Sequence, residues 1–318
     1  MVYKLQRVSG RSLIPVTTLL EEIKNIPLDE TSLDMRHIRL NYRFGTEWVD
    51  LLAALPDCIT SLGLSFNNLD KLGSNLAASL SVIRAELTSL ELYRNDLGLN
   101  TGADLKQIFA AISTSVTWLG LGQNNLGTRN GAELVAALAA IRAPLTFLDL
   151  GWNELDTKTE AELEQIFAAL PTSLTSLELY YNHLGTKDGN GLAKALYALP
   201  AKLTCLNLSS NMLNLKTGDE LENIIRHLPE TLDELDLSDN DFSEDQIRAM
   251  LPALQASNIK TLHLGDTSKY SPSLNRELNA LNGNEPLVGF LLGKLGFLNQ
   301  SQGEESDNTP IVPALPSA

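Results

Sequence analysis

Between Ile59 and Lys269 the chain repeats one phrase eight times, apolar-x-x-Leu-x-Leu-x-x-Asn-x-Leu, starting at Ile59, Leu87, Val116, Leu145, Leu174, Leu203, Leu232 and Ile259. The intervals are 28, 29, 29, 29, 29, 29 and 27 residues, each about one strand plus one helix long. Self-similarity at such a period excludes a single globular core, because every unit can bury its apolar face only against its neighbours. The first copy reads Ile59-Thr-Ser-Leu62-Gly-Leu64-Ser-Phe-Asn67-Asn-Leu69 and the fifth Leu174-Thr-Ser-Leu177-Glu-Leu179-Tyr-Tyr-Asn182-His-Leu184. A weaker copy, Met35 to Phe44, lacks the Asn, and the eighth carries Thr267 in its place, as terminal units of such arrays commonly do.

The Leu-x-Leu alternation has the period of a strand and puts both leucines on one face. The Asn follows where the chain must turn, and its amide carries both donors and an acceptor. A stacked column of Asn67, Asn95, Asn124, Asn153, Asn182, Asn211 and Asn240 is therefore expected to satisfy buried backbone groups from loop to loop. Helix starts are marked by Thr101 and Asp104, Asn130 and Glu133, Thr159 and Glu162, Thr217 and Glu220, and Ser243 and Gln246, which have capping-box spacing. Apolar residues at helical spacing follow, as in Leu105, Ile108, Phe109 and Ile112. Leu-Pro pairs at Leu55, Leu170, Leu199 and Leu228 close several helices, since proline disfavours helical geometry in the residue before it. Strands stack about 4.8 Å apart whereas helices are about 10 Å wide, so the helical side must fan out. The expected fold is an α/β solenoid, a right-handed βα horseshoe with a parallel sheet on the concave face and helices on the convex face.

The slots that vary between repeats are the candidates for function. Between the two leucines stand Gly63, Glu91, Gly120, Asp149, Glu178, Asn207, Asp236 and His263, half of them acids. Asp149 and Glu178 fall side by side in a parallel stack, where like charges repel, and a bound Lys or Arg would relieve that repulsion. Aromatic residues concentrate in the first five repeats: Phe66, Tyr93, Trp118, Phe147, Trp152, Tyr180 and Tyr181. On an open sheet face, Trp118 and Trp152 are expected to meet solvent, an uncommon place for Trp unless a partner covers it. Aromatic anchors with an acidic rim of Glu91, Asp149 and Glu178 suit a protein partner with a basic or amphipathic surface.

The chain has 24 basic and 39 acidic residues, a net charge of -15, which works against nucleic acid and anionic lipid. Its two cysteines, Cys58 and Cys205, lie five repeats apart, or about 24 Å at the strand spacing. That is too far for a disulfide, and cysteine poverty suits a reducing compartment. The four histidines are scattered over different repeats without zinc-ligand spacing, and no nucleophile, base or cofactor motif stands outside the repeat pattern. No catalytic residue, metal site or cofactor is expected. Residues 1–34, with an amphipathic stretch from Val16 to Ile26, are expected to cap the array of about nine repeats over 35–269. Residues 270–298 supply a C-terminal helical cap, with one helix from Ser271 to Leu281 and an apolar second one from Pro286 to Leu298. Residues 299–318 have the composition of a disordered tail. The N-terminus has no apolar core of signal-peptide length, and no stretch approaches the roughly 20 apolar residues of a spanning helix.

With these motifs, residues 35–269 resemble the ribonuclease-inhibitor-like class of leucine-rich repeats. The wording of Ser173 to Gly185, preceded by the helix end Ala168 to Pro171, is similar to the eukaryotic-like repeat proteins of Legionella, many of which are effectors injected into host cells. The resemblance implies a protein-binding module that reaches the host cytoplasm without a cleavable signal peptide, and the chain is expected to be a monomer. A secretion signal would then lie in the tail, where Glu304, Glu305 and Asp307 precede Ile311 and Leu315. Ran GTPase-activating relatives share the repeat length and acidic character, which makes a GTPase regulator the second implied function. A peripheral membrane scaffold using residues 286–298 is a third.

Overall fold

The computed structural model describes residues 2–5, 15–38, 45–84 and 86–281. Among these, ten parallel strands form one sheet in sequential order. The strands are β1 (Val2–Lys4), β2 (Ser32–Asp34), β3 (Ser61–Gly63), β4 (Ser89–Glu91), β5 (Trp118–Gly120), β6 (Phe147–Asp149), β7 (Ser176–Glu178), β8 (Cys205–Asn207), β9 (Glu234–Asp236) and β10 (Thr261–His263). The connecting helices are α1 (Val16–Lys24), α2 (Gly45–Ala53), α3 (Ser74–Ser81), α4 (Gly102–Ala110), α5 (Gly131–Leu138), α6 (Glu160–Ala168), α7 (Gly189–Tyr197), α8 (Gly218–Arg226) and α9 (Glu244–Ala256), and α10 (Pro272–Leu281) follows the last strand.

Each strand is three residues long, the first leucine of Leu-x-Leu with one residue on either side, and the register sets equivalent residues opposite one another. Phe147, Leu148 and Asp149 of β6 face Ser176, Leu177 and Glu178 of β7. The central leucines form a buried row with the second leucines beside it. The helices close this layer with Leu105, Ile108 and Phe109 of α4, Leu163, Ile166 and Phe167 of α6, and Leu221, Ile224 and Ile225 of α8, joined into one continuous apolar core. At roughly 1.5–3 kcal/mol per fully buried large apolar side chain, this layer dominates the stability of each junction.

The asparagine column works as expected. Asn153 Nδ2 donates to the carbonyls of Leu121 and Leu150, both at 3.0 Å, and its Oδ1 accepts from the backbone N–H groups of Asn124 at 3.0 Å and Leu126 at 3.2 Å. One side chain thus bonds its own loop and the loop before it. The residues on either side of each Asn take positive φ, from Phe66 and Asn68 to Asp239 and Asp241. All five expected helix caps are present, with complete capping boxes at Thr159/Glu162, Thr217/Glu220 and Ser243/Gln246. Asp188, which has no acid or amide at the third helical position, caps α7 as well by accepting from the Gly191 N–H.

A second ladder was not anticipated. Lys158 Nζ donates to the carbonyl of Arg129, Lys187 Nζ to that of Lys158 at 2.8 Å, and Lys216 Nζ to that of Lys187. Gln246 Nε2 ends the row on the Lys216 carbonyl at 2.7 Å. Each of these cations spans one junction, and Lys158 is only 7% exposed.

The expected cap over residues 1–34 is only partly a cap. It contributes α1, with Leu19 and Ile23 buried, but also β1 and β2, which extend the sheet. The weak copy placed at Met35 to Phe44 has its strand earlier, at Ser32–Asp34 opposite Ser61–Gly63. Leu33 and Met35 fill the leucine slots and Ile38 stands where the Asn would be, so the Asn signal that fixes register elsewhere is missing. At the other end α10 lies against α9, with Leu274 and Leu278 buried. The second cap helix, Pro286 to Leu298, and the tail at 299–318 lie outside the described residues. Among the described residues no helix is long and apolar enough to cross a membrane.

Candidate functional site

On the sheet face turned away from the leucine core, each strand presents alternate residues: the one before the first leucine, the one between the leucines and the one after the second. Ser89, Glu91 and Tyr93 are followed by Trp118, Gly120 and Gly122, then Phe147, Asp149 and Gly151, then Ser176, Glu178 and Tyr180. Beside them, in the turn, run Phe66, Arg94, Gln123, Trp152 and Tyr181.

The aromatic side chains resolve into stacks. Trp118 and Phe147 are register partners and lie parallel, 4.9 Å between ring centroids with 8° between planes. Trp152 and Tyr181 stack at 4.0 Å and 18°. Tyr180 meets Tyr181 edge-on at 6.3 Å, and Phe66 meets Tyr93 at 5.7 Å. Of the two tryptophans expected in solvent, Trp152 is 41% exposed, while Trp118 is half-buried because Phe147 covers it. Tyr181 is 39% exposed. Arg94, absent from the expected patch, places its guanidinium carbon 5.2 Å from the centroid of the Phe66 ring.

The acids occupy the expected face but are not an open rim. Glu91, Asp149 and Glu178 are 5, 5 and 7% exposed. For Glu91 and Asp149 the cause is glycine. A Cβ on Gly120 would stand 2.5 Å from Glu91 Oε1, one on Gly122 would be 2.9 Å from both Tyr93 Cδ2 and Asp149 Oδ2, and one on Gly151 would be 2.4 Å from Tyr180 Cε1. Larger neighbours lie flat over these gaps and take the carboxyl groups out of water. Burial pushes Asp149 up to about 7, against the opposing hydrogen bonds from the Gly151 N–H at 2.7 Å and the Tyr180 hydroxyl at 3.3 Å. Burial, followed by the charge of Asp149, lifts Glu91 to about 7 and Glu178 to about 8. Glu91 accepts from the Tyr93 N–H at 2.9 Å, and Glu178 accepts from Asn207 Nδ2 at 2.7 Å. Burial at both groups, and the Asp149 charge at Glu178, favour the protonated forms and so ease the repulsion between the two. Arg36 favours the charged form of Glu91, and it is itself paired with Asp34 at 2.9 Å. Glycine at strand positions was the available signal for this layer, since such glycines mark close approach of other groups.

Among the described residues no group of His, Cys, Asp and Glu is arranged to hold a metal ion. Cys58 and Cys205 are both free, and burial pushes the Cys205 thiol up to about 12, which leaves little thiolate at neutral pH.

No protein-family model and no curated protein matches the chain. Among solved structures, the leucine-rich repeat-containing protein LegL7 from Legionella pneumophila matches with a TM-score of 0.70 and 31% identity, over 90% of this chain and 98% of LegL7. The chain belongs to the leucine-rich-repeat family. The complex of Rad7 and Elc1 from yeast also aligns, at 14% identity and a TM-score of 0.47, over 83% of this chain and 71% of the matched one.

In a leucine-rich-repeat protein the leucines, the Asn column and the caps account for folding. The aromatic stacks and buried acids occupy slots that other repeats of the same chain fill with Ser, Gly, Gln or Thr, so the repeat does not require them.

Proposed function

We propose that this protein is a non-enzymatic binding module that grips a protein with a basic or amphipathic surface across the sheet face of repeats one to five. We propose further that it acts as a translocated bacterial effector whose partner is a host protein. The observation that carries the reading is the Trp152–Tyr181 stack, two large apolar rings left in solvent where folding does not need them. The likeness to a Legionella leucine-rich-repeat protein supports the bacterial setting.

Replacing Trp118, Phe147, Trp152 and Tyr181 together by Ala is expected to abolish capture of the partner from eukaryotic lysate, with far-UV circular dichroism close to wild type. Capture from bacterial lysate is expected to be absent for both proteins. Undiminished capture by the fourfold variant would sink the sheet-face reading, and capture from bacterial lysate alone would sink the effector role.

A further inference from the structure

We propose that the Trp152–Tyr181 stack is an arginine-docking shelf, on which a guanidinium of the protein partner lies flat. The proposal rests on the sheet-face reading above and deepens it by naming the side chain that is taken.

The backbone supplies the first argument. The residue before each Asn has positive φ, 54° at Trp152 and 52° at Tyr181, a region that bulky L-residues adopt at a cost and that Asn, Asp or Gly occupy more readily. Ser210 and Asp239 fill the same slot in later repeats, so the array closes without aromatic residues there. A strained, exposed and stacked pair points to a role outside folding. The second argument is a precedent within the ladder. Arg94 occupies this slot two repeats before Trp152, and its guanidinium lies over Phe66, the aromatic residue of the preceding repeat. The chain therefore already packs a guanidinium on an aromatic ring in this column. Gln123, between Arg94 and Trp152, brings no charge to the Trp152 side.

Charge complementarity decides the sign of the occupant. Glu154, two residues after Trp152, is exposed. The chain as a whole carries -15. A planar guanidinium matches a flat stacked pair better than a compact ammonium does, because it stacks on rings and sheds water more readily.

The test uses the full chain, labelled with 15N, and three peptides of the form acetyl-Gly-X-Gly-X-Gly-amide in which X is Arg, Lys or citrulline. Its three Trp residues give three indole N–H signals, and W152F assigns one of them. The arginine peptide is expected to move the Trp152 signal with a midpoint at least about threefold below that of the lysine peptide, the margin of a modest exposed cation–π contact. The citrulline peptide, of nearly the same shape but uncharged, is expected to leave it in place. In Tyr181→Ala the response should weaken while the signal of Trp48, buried in α2, stays where it was. Equal midpoints for Arg and Lys, an equal effect of citrulline, or a Trp152 signal that never moves overturns the shelf. If the shelf fails while the fourfold variant still loses its partner, the binding face stands and only the arginine assignment falls.

Discussion

Asp149 lies beneath Tyr180 and beside Tyr93, deprived of water, so its proton is held more tightly in the folded chain than in the unfolded one. The same holds for Glu91 and Glu178. A carboxyl whose folded pKa is raised contributes stability that is fully present below the unfolded value, near 4, and is lost as pH climbs towards the folded values of about 7 to 8. The window for this loss is therefore about pH 4 to 8. Asp149→Asn with Glu178→Gln keeps the acceptors for Gly151 and Asn207 but removes the titration. That double variant is expected to melt roughly 2–4 °C above wild type at pH 8.5, with the difference shrinking or reversing at pH 5. Scanning calorimetry at the two pH values checks this, and a difference independent of pH would show that the buried acids do not titrate there.

At the scale of one loop, the turn after each Asn must pass close to the same turn in the next repeat. Gly127 donates its N–H to the Asn153 carbonyl at 2.8 Å, and a Cβ there would stand 2.1 Å from the Glu154 carbonyl oxygen. Where Asp156 replaces this Gly one repeat later, the equivalent bond lengthens to 3.2 Å, so a side chain is accommodated only by separation of the loops. Gly127→Ala is expected to cost about 1–3 kcal/mol in urea unfolding, the usual range for an overpacked site. Gly102→Ala, at the first residue of α4, should cost much less, because its Cβ meets only the movable Glu133 side chain. Equal losses at both positions would mean that the loop spacing is not tight. The elements themselves are legible in the chain wherever one residue type recurs at a fixed interval: the leucine slots, the Asn column, the Leu-Pro stops and the cap residues. Strands β1 and β2 are not, because Ile38 sits in the Asn slot of the second and Val2–Lys4 lacks the phrase entirely.

Across the whole array, what the sequence conceals is whatever depends on two repeats at once. The face on which Glu91 stands follows from alternation within β4, whereas its burial depends on Gly120 in the next repeat. The exposure of Trp152 follows from its slot, whereas that of Trp118 depends on Phe147 beside it. Stability in such an array is a sum over neighbouring junctions, and the lysine row marks several of them. Lys158 and Lys187 have their ammonium groups held on backbone carbonyls, while Lys194 and Lys260 are 72 and 75% exposed. An amine-acylating reagent in native buffer is therefore expected to modify Lys158 about tenfold more slowly than Lys194, the effect of a local closure worth about 1.4 kcal/mol. The ratio should fall towards one in urea too dilute to unfold the chain globally, and peptide mass spectrometry would show no initial ratio if the row were loose. The row is thus a built-in chemical footprint, in which one amine per junction records whether adjacent coils have parted.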